Sequence, residues 1–159
     1  MRKSLRLFLA AIAAVVFMLA GCASAPPEPV EISLPAANAT LHTSGALVLE
    51  ENEGILNVGW WETVDDIVSW EVEIPQDGEY VFSMRAACDP QFPGSIVVLT
   101  IDGQSLEVKV RDTGDWLYYV NMEFGSLNVS AGTHTLSLQA SHVDNRFVAN
   151  LRRVDIKSL

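Results

Sequence analysis

Hydrophobic and polar positions alternate with period two along most of the chain after residue 31. In SLEVKVRD, Leu106, Val108 and Val110 point one way and Glu107, Lys109 and Arg111 the other. In THTLSLQA, His134, Leu136, Leu138 and Ala140 share a face, and in WEVEIP, Trp70, Val72 and Ile74 oppose Glu71 and Glu73. Such alternation marks half-buried strands, because successive side chains of an extended backbone leave on opposite sides. Turn chemistry separates the runs: PQDG at 75–78, Asp102–Gly103, Thr113–Asp115 and Ala131–Gly132. No later stretch carries a three-turn helical stripe. The pattern predicts an all-β chain, a single jelly-roll β-sandwich over residues 32–159. EIPQDGEYVFSMRAAC and IVVLTIDGQSLEVKV read as its clearest hairpins, with Phe82, Met84, Ala86 and Cys88 supplying core.

The first 31 residues follow other rules. Arg2, Lys3 and Arg6 precede an apolar run from Leu7 to Ala20, the layout of a secretory signal and too short for a stable spanning helix. The run ends in Leu19-Ala20-Gly21-Cys22, which resembles a bacterial lipobox. That resemblance implies a signal peptide over 1–21, with acylated (palmitate-bearing) Cys22 as the first residue of the mature chain. Residues 22–31, rich in Ala, Ser and Pro, read as an extended tether. Ala23 stands where enteric lipoproteins retained at the inner membrane carry aspartate, so the expected address is the cell envelope, with the outer membrane favoured.

Charge narrows the partners. The 159 residues carry a formal −10; without 1–21, seven basic residues face twenty acidic ones, a formal −13. This balance repels phosphate backbones, and nucleic acid is not an expected partner. Cys88 is the only cysteine besides Cys22, so no disulfide is available within the domain, and strand parity makes it a small buried hydrophobe. His42, His134 and His142 are scattered, without zinc spacing.

Two enzyme readings arise. Asp112-Thr113-Gly114 spells the aspartic-protease tripeptide, but that chemistry needs two carboxylates sharing a proton in an apolar setting. Only one copy is present, and Arg111 and Asp115 flank it, so it reads as a polar turn. Asp65 and Asp66 are adjacent in an extended segment; their side chains diverge and cannot flank one glycosidic bond, which leaves a solvated or calcium-tending loop. No catalytic residues are assigned, and the chain reads as a non-enzyme.

Aromatic residues point to binding. All four tryptophans lie in GWWETVDD, at the start of WEVEIP, or in TGDWLYY, and rings near loops on a rigid sandwich suit the flat C–H faces of sugars. The succession GWW, DDIVSWEVEIPQDGEYVFSMRAACDP, TGDW, SAGTHTLSL and NLRRVDI resembles the galactose-binding-like jelly rolls of carbohydrate-binding module families 6 and 35, across roughly Ile32 to Ile156. It is similar in particular to the module appended to some bacterial α-L-fucosidases and sulfatases. The resemblance implies that Trp70 and Trp116 sandwich a sugar ring while Asn150 bonds its hydroxyls. It also implies a structural calcium held partly by an acid in the first strand; the matching SLPAAN has none, and no cofactor is assigned.

The residues themselves leave alternatives open. Trp70 has the parity of Val72 and Ile74, which fits core packing as well as stacking. Trp61 either binds or caps the sandwich end. Tyr118 and Tyr119 have opposite parity, so one belongs to the core and the other to a rim. Trp70, Trp116, Asn150, Trp61 and Tyr118 are the candidate carbohydrate-binding residues, and the expected partner is a glycan or glycan-bearing surface, with a separate glycan-degrading enzyme nearby. The alternative is a protein-interaction or assembly module of the envelope that uses the same aromatic surface.

Overall fold

A computed structural model describes residues 28–159. The signal segment 1–21, Cys22 and the tether up to residue 27 lie outside the described residues. Eleven strands follow: β1 (Glu31–Pro35), β2 (Thr40–His42), β3 (Val48–Asn52), β4 (Ile55–Gly59), β5 (Ile67–Ile74), β6 (Gly78–Ala87), β7 (Ile96–Ile101), β8 (Gln104–Lys109), β9 (Val120–Val129), β10 (Gly132–His142) and β11 (Asn150–Ser158), with one 3₁₀ turn at Ala36–Asn38. They form two antiparallel sheets, β3-β4-β11-β6-β9 with β1 beside β11, and β2-β5-β10-β7-β8. This is the β-sandwich that the alternation predicts.

Strand parity decides the core. Phe82, Met84, Ala86 and Cys88 from β6 and its end face Leu99, Ile101, Leu136 and Leu138 of the other sheet, all fully buried. With no disulfide, this apolar layer holds the sheets together, at about 25 cal/mol for each Å² withdrawn from water. Asp102 and Gly103, with φ of 51° and 72°, make the two-residue turn of the β7–β8 hairpin. Positive φ at both positions matches the right-handed strand twist.

One predicted hairpin is not a hairpin. PQDG joins β5, which pairs with β2 and β10, to β6, which pairs with β11 and β9. The turn therefore crosses from one sheet to the other. A strand whose apolar face meets the core looks alike in either sheet, so local sequence does not separate a hairpin from an arch.

The strand directions gather residues 60–66, 88–95, 110–119 and 143–149 at one end of the sandwich, and the turns 75–77, 102–103 and 130–131 at the other. A polar staple closes the second end. His134 Nδ1 lies 2.8 Å from the Asp102 carboxylate, and Nε2 lies 2.9 Å from the Ser130 carbonyl oxygen. With an acceptor at each nitrogen the imidazolium is favoured, and the hydrogen bond to Asp102 is the main force raising the His134 pKa above 6.5. A raised folded-state pKa means that this stabilisation is complete below the unfolded value and is lost as pH rises through the folded one. An NMR titration is expected to place His134 above 6.5, and Asp102→Asn to bring it down; an unshifted His134 in the parent chain contradicts the staple.

Candidate binding cleft

The first end of the sandwich holds a cleft of about 660 Å³, within the range of small-ligand sites. Its aromatic wall comes from four separate loops. Trp116 lies 5.5 Å from Phe92 with planes tilted by 32°, and Phe147 meets Phe92, Trp116 and Trp60 edge-on at 5.1, 5.9 and 6.0 Å. These offsets are the preferred arrangements of aromatic quadrupoles. Trp60 is 50% exposed, the most open indole of the described residues.

Each ring is held by its loop. Thr113 NH donates to the Cys88 carbonyl, and the Thr113 hydroxyl accepts from Cys88 NH at 2.9 Å, pinning the 110–119 loop to the end of β6. Asp112 Oδ1 accepts from Gly114 NH and Asp115 Oδ1 from Leu117 NH, so both carboxylates shape the bend that presents Trp116. Asp112 is thus a turn residue, as the protease tripeptide was expected to be. Ser95, fully buried, donates to the Phe147 carbonyl at 3.2 Å and accepts from Asp144 NH at 3.0 Å. Asn145 and Arg146 adopt φ of 49° and 85°, and Trp60 adopts 55°. Left-handed backbone at non-glycine residues costs on the order of 1 kcal/mol or more each and persists where the surroundings enforce it. Here it aims Phe147 and Trp60 at the cleft.

The polar wall centres on Glu50 of β3. Its Oε1 accepts from Asn52 Nδ2 at 2.8 Å and Asn57 Nδ2 at 3.1 Å, and Oε2 accepts from Trp60 Nε1 at 3.1 Å. Three donors fix the carboxylate and leave Oε2 a further lone pair. Gly59 makes room for it: a Cβ there would collide with Glu50 Oε1. Asn150, at the start of β11, donates to the Trp116 carbonyl at 3.2 Å, and its Oδ1 remains an acceptor. Below the cleft, burial is the largest cause raising the Tyr119 pKa, followed by Glu50.

The cleft unites three of the five candidate residues, Trp61, Trp116 and Asn150. Trp61 contributes from beneath, at 1% exposure, and Trp60 is the open ring of that pair. Two candidates fall elsewhere. Trp70 is 3% exposed, mid-strand in β5, with Nε1 donating to the Pro35 carbonyl at 2.9 Å, so it is a core residue. Tyr118 is 66% exposed and outside the cleft, while its neighbour Tyr119 is the buried one. Sequence reasoning did not single out Glu50, Phe92 or Phe147; an aromatic in each of several turn-rich loops was the available signal for the two rings. Asp66 is also a correction, being fully buried and bonded to the Thr43 hydroxyl rather than solvated.

Other chemistry finds little support among the described residues. Burial pushes the Cys88 thiol up to about 11, which leaves little thiolate at neutral pH. The Ser69 hydroxyl lies 3.2 Å from His42 Nε2, but no carboxylate orients that imidazole. Beside the first strand, Asp155 is already held by Arg153 Nε at 2.8 Å from each oxygen, and Glu31 by Lys157. These carboxylates are compensated by protein cations and do not fit the structural calcium that the family resemblance implies.

No family model matches the chain. A curated relative, the 3-O-beta-L-arabinopyranosyl-alpha-L-arabinofuranosidase of Bifidobacterium pseudocatenulatum, is 33% identical over 96 residues, 56% of this chain, and the match spans 9% of that enzyme's length. Among solved structures, a family 35 carbohydrate-binding module from Clostridium thermocellum superposes with a TM-score of 0.68 at 18% identity, over 82% of this chain and 99% of that one. The C-terminal family 6 module of a laminarinase from Zobellia galactanivorans gives 0.66 at 22%, over 81% and 100%. A family 6 module from a Cellvibrio mixtus lichenase, in complex with cellotriose, gives 0.62 at 24%, over 80% and 97%. At these identities the likeness establishes the fold: the described chain has the jelly roll of carbohydrate-binding modules of families 6 and 35.

Proposed function

We propose that this chain is a non-catalytic glycan-binding domain, held at the bacterial cell envelope by a lipid on Cys22, with the outer membrane as its address. The observation that carries the binding role is the cleft, where the indoles of Trp60 and Trp116 stand beside a carboxylate fixed by three donors with an acceptor site to spare. A sugar ring lays its C–H face on an indole while Glu50 Oε2 and Asn150 Oδ1 accept its hydroxyl hydrogens. Modules of the same fold, one of them bound to cellotriose, support this use of the fold. The match to a short segment of a long arabinofuranosidase supports a module that elsewhere accompanies glycan-degrading catalysis, and a glycan-degrading enzyme is the partner this reading expects nearby. Affinity is modest, since ordering and desolvating a polar ligand offset most of the gain from a few stacked rings. The test is an NMR titration of the indole Nε1–H signals with oligosaccharides: Trp60 and Trp116 are expected to move, and silence at both refutes the reading.

A further inference from the structure

The charges around the cleft select among glycans, an inference that rests on the glycan-binding reading. Glu50, Glu53 and Asp115 line the cleft, and no basic side chain of the described residues does. Two guanidinium groups touch neighbouring rings. Arg146 sits 4.8 Å from the centroid of Phe147 and pairs with Glu62 at 3.0 Å, and Arg152 sits 5.9 Å from the centroid of Tyr119 and lines a separate hollow with Pro35 and Leu56. Neither guanidinium lines the cleft, so no fork for a ligand carboxylate or sulfate is set into its walls. Glu50 is held by neutral donors alone, Asn52, Asn57 and Trp60, so its charge stays uncompensated at the place where a ligand arrives. The domain around it repeats the sign, with twenty acidic residues in the chain against ten basic ones.

We infer that the cleft discriminates against negative charge, taking neutral sugars in preference to uronate- and sulfate-bearing glycans. Like charges brought together in a partly dry site oppose binding more strongly than they do in water. A neutral hydroxyl, by contrast, can donate its hydrogen to the carboxylate's remaining lone pair without any such penalty. The selectivity comes from repulsion built into the site, on top of stacking that any pyranose face would satisfy.

The experiment uses the full chain in neutral detergent and pairs of immobilised oligosaccharides that differ only at C6, hydroxymethyl against carboxylate. At low ionic strength the neutral member of a bound pair is expected to bind at least about tenfold more tightly. The gap is expected to narrow in salt, which screens exposed charge. It should also narrow in Glu53→Gln/Asp115→Asn, whose asparagine keeps the acceptor for Leu117 NH. A carboxylate member bound as tightly as its neutral partner, with or without added calcium, overturns the charge selectivity and leaves glycan binding standing. Silence on both members of every pair overturns the glycan reading itself and this inference with it.

Discussion

Trp116→Ala is expected to weaken glycan binding by roughly thirtyfold or more while the sandwich stays folded, the loss typical of an aromatic anchor worth about 2 kcal/mol at a binding surface. The ring stands in the 110–119 loop, outside both sheets, and its packing partners Phe92 and Phe147 are loop residues too. Truncation removes the stacking surface, the tilted contact with Phe92 and the edge contact with Phe147, but the loop stays pinned through Thr113 to Cys88. The expected stability loss is therefore ordinary for a half-buried side chain, about 1–2 kcal/mol. Calorimetric titration of parent and variant with the same oligosaccharide checks this, with circular dichroism to confirm the fold. An unchanged Kd removes Trp116 from the site.

Trp70→Ala is expected to do the reverse. The Trp70 indole lies between the sheets opposite Leu136 and donates to the Pro35 carbonyl, which ties β1 to β5. Cutting a buried tryptophan to alanine costs about 3–5 kcal/mol through lost burial and the cavity left behind. For a domain of this size that lowers Tm by roughly 10–20 °C. The milder Trp70→Phe keeps most of the volume and loses the hydrogen bond, at about 1–2 kcal/mol, and its glycan affinity should equal that of the parent chain. A folded Trp70→Phe that no longer binds glycan would return this ring to the binding site.

The contrast between these two tryptophans shows what is legible in the letters. Alternation identified the strands and their inward faces, because the period-two rule is local: Phe82, Met84, Leu136 and Leu138 are buried as their parity requires. Pairing is not local, and PQDG, with the residues of a tight hairpin turn, instead carries the chain across the sandwich. The same divide runs through the site. Trp116 stands out as an aromatic beside a turn, but choosing between Trp60 and Trp61 needs the left-handed backbone at Trp60, which no composition rule announces. Glu50 looks like any polar residue on an edge strand until Asn52, Asn57 and Trp60 converge on it. Phe92 and Phe147 occupy loops without periodicity, 55 positions apart, and meet at 5.1 Å only because Gly94, Ser95 and Asp144 lock their loops together.

The most direct test of the central claim is the indole titration, because Trp60, Trp61 and Trp116 line the cleft while Trp70 lies in the core away from it. With an oligosaccharide that binds the full chain, the account predicts saturable shifts of the Trp60 and Trp116 Nε1–H signals at one common Kd, with the Trp70 signal unmoved. Shifts confined to residues remote from the cleft, with both of those indoles unchanged at saturation, would contradict it.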